Sequence, residues 1–429
     1  MVSTDTITQS EKGGGAALDS MTGSAATSPL RNKRNNAVTK TQQLQRLRSH
    51  RWKSREVNRR ILRGTRCASC GRPVSKQTGV GLYYDVKHKA RFSGLMACGN
   101  VNCCPVCNAK IMAERSNEIR QALESAKKNG YGVVFGTLTL RHDLKDDLGD
   151  LRRKLLLVWR NLNKQRSFVK LLDEYGEFGF VRAQEATVSN VNGWHPHLHV
   201  FYFFDHELSE IECERFGARF AQLWINTVER MNRKHKEATA SGLASPFIDG
   251  IGRPLPKNQI FKVVHLNKSS IDKYSKYVTT RKSVALPGED VISRMSAELT
   301  STQTKIGKVK QHDDGRKVLH MNYWDMLEAL RVIGTSEKPI KTVMSEKLVR
   351  TLSSYGYTPA ALIRLCREYY KGVKGARSLY WSRVRGDKQK RTLREMLGIG
   401  AEQSDEELAQ QSFADPKSHV LTVWNWRKC

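Results

Sequence analysis

Gly193-Trp194-His195-Pro196-His197-Leu198-His199-Val200-Phe201-Tyr202-Phe203-Phe204 is the stretch on which the reading of this chain turns. The apolar, aromatic second half predicts a β-strand, and a period of two puts His195, His197 and His199 on one face of it. One histidine on a strand is ordinarily a hydrogen-bonded core residue. Three in register from a rigid strand make a partial metal site that lacks an anionic ligand. Working upstream, Asn190-Val191-Asn192-Gly193 is a turn signal that folds a preceding strand, residues 178–188, back beside the histidines. That strand carries Glu185. A half-empty site of imidazoles, one carboxylate and waters suits Mg²⁺ or Mn²⁺ acting as a Lewis acid on a phosphate oxygen.

Further outward, a strand is predicted at 131–140, a helix at 144–162 and a long amphipathic helix at 207–233. A Gly/Pro/Ser-rich loop runs to about 259, followed by a strand at 260–265 and a helix at 269–281 capped by Ser269 and Ser270. Hairpin-connected strands with helices between them predict an α+β fold, an antiparallel sheet with flanking helices. Beyond Pro287 a polar linker leads to helical segments at 323–334, 343–354, 358–371 and 390–398, which read as a helical C-terminal domain. The expected organisation is a disordered tail (1–40), a basic arm (41–66), a cysteine-rich zinc module and helix (67–128), a central domain (129–285), and a linker with the helical domain (286–429).

Composition narrows the partners. The 429 residues contain 73 Lys+Arg against 42 Asp+Glu, a formal net charge of +31, which favours a polyanion. From 31 to 66 there are thirteen Lys or Arg and one acid, Glu56, punctuated by Leu44, Leu47, Val57, Ile61 and Leu62. Such a run can become a basic helix on a phosphate backbone or stay a solvated arm. No apolar run is long enough to span a bilayer and no secretion pattern opens the chain, so the expectation is a cytoplasmic protein with no membrane partner. The nine cysteines then read as metal thiolates. Cys67-Ala68-Ser69-Cys70 and Cys104-Pro105-Val106-Cys107 are two C-x-x-C knuckles for Zn²⁺, with Cys98 and Cys103 as further candidates; Cys213 and Cys366 read as core.

Two more stretches bear on chemistry. In Asp272-Lys273-Tyr274-Ser275-Lys276-Tyr277 the tyrosines share a helix face and Lys273 lies one turn before Tyr277. A phenol with cationic neighbours beside a polarised phosphodiester can attack phosphorus, although two tyrosines at this spacing also suit core packing. In Phe135-Gly136-Thr137-Leu138-Thr139-Leu140-Arg141-His142, Thr137 and Thr139 alternate with Leu138 and Leu140, as in any half-buried strand.

A Thr-Leu-Thr strand, a His-bulky-His strand and a Tyr/Lys helix, in this order, resemble the HUH endonucleases, and among them the plasmid rolling-circle replication initiators (Rep proteins). The likeness spans roughly 60 to 410 and includes the cysteine stretch and Gly375-Ala376-Arg377-Ser378-Leu379-Tyr380-Trp381-Ser382. The resemblance implies an HUH core with an RRM-like sheet in the 129–285 nicking domain. It implies His197, His199 and Glu185 as metal ligands, with His195 supporting or binding, and Tyr277 as the nucleophile that nicks origin DNA. It implies Thr137, Thr139, Arg141 and Lys276 as DNA contacts, and Cys67, Cys70, Cys98, Cys104 and Cys107 as the structural zinc set. The implied partners are plasmid origin DNA at a hairpin or single-stranded nick site and the host helicase and polymerase; a dimer is an option. Relatives with one tyrosine often carry a Glu one turn before it that activates water for the terminating cleavage, where this chain has Lys273; Asp272 is the candidate substitute, or Tyr274 the candidate second nucleophile, as in two-tyrosine relatives.

The same chemistry would serve a single-strand transposase or a relaxase, although a relaxase more often places its tyrosine ahead of the histidines. A zinc-dependent nucleic-acid-binding protein without catalysis, and a metalloenzyme in which water attacks, are the alternatives from other classes.

Overall fold

The computed structural model describes residues 40–74, 80–84, 90–245, 250–279, 307–311, 315–335, 338–410 and 419–424. The tail expected to be disordered and most of the expected polar linker lie outside these residues.

A five-stranded sheet holds the centre. Strands β3 (Gly132–Thr139), β4 (Glu177–Ser189), β5 (Gly193–Phe204) and β6 (Ile260–Val263) are joined by β9 (Tyr380–Trp381) in the order β9-β4-β5-β3-β6, every pair antiparallel. The mixed helix and antiparallel-sheet fold expected from the sequence is present. Strand β5 is central, an unusual place for Pro196. Pairing with β3, however, ends at Thr139↔His197, so at Pro196 the strand has β4 alone for a neighbour and one missing N–H breaks no second ladder. Gly193 opens β5 at φ +69, and a Cβ there would lie 2.9 Å from the Asp143 carbonyl oxygen.

Both faces of the sheet are apolar along most of its length. Val134, Leu138, Leu198, Val200, Tyr202 and Phe204 face one way, toward α3 (Leu148–Asn163), α4 (Arg166–Glu174) and α5 (Glu210–Ala240). Trp224 of α5 is fully buried and donates its indole N–H to the Thr139 carbonyl at 3.0 Å. Val133, Phe135, Val181, Phe201 and Phe203 face the other way, under α2 (Pro105–Lys128) and α6 (Lys268–Thr279). Each buried aromatic contributes on the order of 1.5–3 kcal/mol. Nearer the turn, this second face changes character. Continuing the same alternation, Phe203 and Phe201 give way to His199, His197 and His195.

The N- and C-terminal stretches share one core. Ile61 at the end of α1 (Lys40–Ile61), the cysteines and Ile111 pack with Leu327 of α7 (Tyr323–Ile333), Leu352 of α8 (Val343–Ser354) and Leu362 of α9 (Pro359–Gly372). A hairpin of β7 (Lys308–Gln311) and β8 (Lys317–His320) leads into α7, and Met321 bridges Val188 at the end of β4. This hairpin, α4 and a small sheet of β10 (His419–Trp424), β1 (Val80–Tyr84) and β2 (Ala90–Ser93) were not expected from the sequence. Helix α5 also runs past its expected end to Ala240, because residues 234–240 contain no breaker. Buried Arg115 pairs with Glu118 one turn along α2 at 2.9 Å and ties the helix to Asp405 at 2.9 Å. Among the described residues no helix is long and apolar enough to cross a membrane.

Candidate metal centre

Register brings the acidic and basic donors together. Glu185 lies directly opposite His197, and Ala183 opposite His199, while β3 places Thr139 and Thr137 on their other sides. Glu185 Oε2 lies 3.3 Å from His197 Nε2 and 3.1 Å from His199 Nε2, and the three donor atoms fall within 4.8 Å of one another. Each imidazole is oriented through its other nitrogen: His199 Nδ1 meets Thr137 Oγ1 at 3.2 Å, and His197 Nδ1 meets the His195 carbonyl at 3.4 Å. Phe135 stacks on the His199 ring, with centroids 5.4 Å apart. These outer contacts fix which ring nitrogen is offered.

Electrostatics fit a cation. Burial would raise the Glu185 carboxyl, but the two imidazoles beside it hold it well below the ordinary carboxylate range. Burial lowers His199, which keeps that imidazole neutral at pH 7. Two nitrogens and an ionised oxygen therefore converge on one point, held there by protons on Nε2 or by a metal ion in their place. The set of two imidazoles and one carboxylate suits a divalent ion with open positions.

His195, on the same strand face, is engaged elsewhere. Its Nδ1 lies 2.6 Å from His142 Nε2, and His142 Nδ1 donates to the Asn192 carbonyl at 2.7 Å. Burial pushes the His195 imidazole down to about 2. His195 thus stands beside the three-donor group rather than in it, and His142 was the partner that sequence reasoning missed.

The donors open into a cleft of about 740 Å³ lined by Thr137, Thr139, Lys257, Lys308, Lys310 and His320, among others. Asp325, at the start of α7, accepts from the Asn322 backbone N–H at 2.9 Å. Burial, with Glu185 nearby, pushes Asp325 up to about 6. Lys308 and Lys310 alternate on an exposed strand, a pattern visible in the sequence but uninformative without the bridge from Met321 to Val188. Arg141, an expected DNA contact, is exposed and outside the cleft lining.

Helix α6 approaches this cleft. Ser116 of α2 donates to the Ser275 carbonyl at 3.1 Å, and Arg120 pairs with Asp272, so α2 and α6 run antiparallel. Met112, one turn before Ser116, lines the cleft, so the end of α6 beyond Ser275 heads toward it. Tyr274 packs on Phe135 and Phe201, with centroids 5.3 and 6.0 Å away, and burial raises its phenol. Lys273 lies over the Tyr274 ring at 5.4 Å. The side chains of Lys276 and Tyr277 lie outside the described residues.

The cysteines form a second group. Sγ of Cys70 lies 3.5 Å from Cys104 and 3.6 Å from Cys107, and Cys98 lies 3.7 Å from Cys107. Sulfurs about 2.3 Å from a tetrahedral Zn²⁺ would be about 3.8 Å apart. A disulfide would need about 2.05 Å. Sulfur–sulfur hydrogen bonds with Cys104 and Cys70, joined by burial, push the Cys107 thiol up. Cys67 stands outside the group of four, and its Sγ accepts from Asn58 Nδ2 at 3.3 Å. Cys213 and Cys366 are buried core residues, as expected.

Residues 91–215 match the replication protein family. The chain is similar to Protein rep of Streptomyces lividans, 33% identical over 132 residues that make up 25% of this chain and 29% of that one. It is also similar to a neomycin resistance protein of Streptomyces cyanogenus, 30% identical over 130 residues, 25% of this chain and 30% of that one. The chain thus spans under a third of the length of these relatives. No solved structure matches it. The matched segment contains Glu185, His197, His199, Cys98, Cys104 and Cys107, and ends before α6.

Proposed function

We propose that this protein initiates rolling-circle replication of a plasmid by nicking one strand at the origin, as a metal-dependent, tyrosine-dependent strand transferase. The convergence of Glu185, His197 and His199 at the base of a lysine-lined cleft, toward which the end of α6 runs, carries the reading. A divalent ion bound by those three residues would polarise the scissile phosphate and neutralise charge developing on it. Lys257, Lys308 and Lys310 grip the flanking phosphates of a single strand. Thr137 and Phe135 hold His199 in position. Tyr277 is the nucleophile. Its phenolic oxygen, having lost its proton, forms a bond to phosphorus in line with the departing 3′ oxygen, which leaves with a proton as a free 3′ hydroxyl for a polymerase. The phosphotyrosine diester conserves the bond energy, so rejoining needs no ATP. The packing of Tyr274 on Phe135 and Phe201, and of Asp272 on Arg120, favours Tyr277 as the attacking group. Cys70, Cys98, Cys104 and Cys107, whose sulfurs converge, would hold a structural Zn²⁺.

The test is incubation with a 3′-labelled single-stranded origin oligonucleotide and Mn²⁺. A covalent protein–DNA adduct is expected, mapped to Tyr277 and abolished in Tyr277→Phe while DNA binding stays within about threefold. Nicking retained by Tyr277→Phe overturns the assignment. Cleaved product without adduct points to a hydrolase, and binding without cleavage to a DNA-binding protein.

A further inference from the structure

Helix α9 has two contrasting faces. Leu362, Ile363, Cys366 and Tyr369 are buried, whereas Ala360, Arg364, Arg367 and Lys371 are exposed, with exposed Lys374 just past the end. Steps of four, three and four residues put this exposed set on one stripe. One acid, Glu368, lies between 359 and 377, and it sits 3.6 Å from Arg364, whose side chain is 72% exposed. Arg367 donates Nε to the Ile61 carbonyl at 2.9 Å, and exposed Arg63 and Arg66 follow Ile61 in the chain. Residues 57–74 contain no acid at all.

The element carrying this stripe is a helix, a four-residue turn and a helix. Residues 355–358 join α8 to α9, with Gly356 at φ +78 and its missing Cβ position 2.8 Å from Asn190 Nδ2. In such a unit the second helix has the diameter to lie in a major groove about 12 Å wide. The stripe carries no aromatic residue, and aromatic stacking is what single-strand surfaces use. The inner side of α9 is fixed to the histidine hairpin: Tyr369 packs on Trp194 with centroids 5.8 Å apart, and Tyr357, in the turn before α9, donates Oη to the Val188 carbonyl of β4 at 3.4 Å.

We propose that the outer face of α9, through Arg364, Arg367, Lys371 and Lys374, is a second DNA surface that takes the phosphate backbone of duplex DNA. That this duplex flanks the nick rests on the nicking reading; the surface itself rests on charge and shape. It holds the double strand at a set position from Glu185, His197 and His199, separate from the cleft that takes the single strand.

The test uses the full chain and two fluorescent probes of equal length and arbitrary sequence, one duplex and one single strand, titrated from 0.05 to 0.4 M salt. The combined variant Arg364→Gln, Lys371→Gln, Lys374→Gln leaves the Ile61 contact intact. It is expected to lose about 100-fold in duplex affinity at 0.15 M salt, with the log–log salt slope shallower by about 2.7. Single-strand affinity and thermal midpoint should stay near wild type, and Arg364→Lys, Lys371→Arg, Lys374→Arg should retain duplex binding. Unchanged duplex affinity, or an equal loss for both probes, overturns the proposal. If wild type forms no covalent adduct yet the duplex-specific loss appears, the nicking reading fails and this surface stands.

Discussion

The two donor clusters differ in how they are enclosed. Cys70, Cys98, Cys104 and Cys107 are at most 5% exposed and lie inside a core shared by α1, α2, α7, α8 and α9. Glu185, His197 and His199 sit at the rim of the sheet, and the Glu185 side chain is 31% exposed to a cleft. Four buried thiolates complete a tetrahedron and leave a zinc ion nothing to offer a substrate, whereas two imidazoles and one carboxylate leave positions open. The first arrangement can hold a chain together; the second can act on something that enters.

Cys104→Ser gives the largest expected effect. Structural zinc sites contribute on the order of 10–16 kcal/mol in small domains, so this variant is expected to lose zinc and its cooperative fold together. Metal analysis with near-ultraviolet circular dichroism checks it, and a folded, zinc-free protein would erase the contrast. His199→Gln should do the reverse. Adduct formation is expected to fall at least about 100-fold while the zinc content holds and the thermal midpoint moves by only a few degrees. An unfolded variant would make the histidine group a structural element too.

The third prediction separates the frame from both centres by pH. Glu328 of α7 accepts from Arg331 Nη2 at 2.6 Å and from His50 at 2.9 Å. Burial opposes its ionisation, yet these partners hold the carboxyl down to about 2. Its folded value lies below the unfolded value of about 4.3, so its contribution is present above that pH and is lost as the pH falls toward 2. Glu328→Gln should cost about 1–3 kcal/mol at pH 7, and the gap from wild type should close between about pH 4.5 and 2 in urea titrations. A gap that persists at pH 2 would show that the carboxylate charge is not what the pair contributes.

Period-two alternation, with a turn signal at residues 190–193, is enough to place Glu185 beside His197, because an antiparallel hairpin fixes its register locally. The long helices were legible for the same reason, since apolar spacing reports a buried face. Helix α4 was missed because nine residues make too short a periodic pattern, and the β7–β8 hairpin because β7, with Lys308, Lys310 and Gln311 around a single Val309, looks like a linker until another strand pairs with it.

The chain by itself determined the antiparallel sheet, the histidine face and a surplus of cysteines, all of which rest on neighbours a few residues apart. Tertiary structure decided the rest. It selected Cys98 over Cys67 for the group of four, turned His195 toward His142, set Tyr274 into the aromatic core, and brought Lys308, Lys310 and Asp325 to the cleft. Those choices depend on contacts between segments tens to hundreds of residues apart, and only the packed chain brings them within reach of one another.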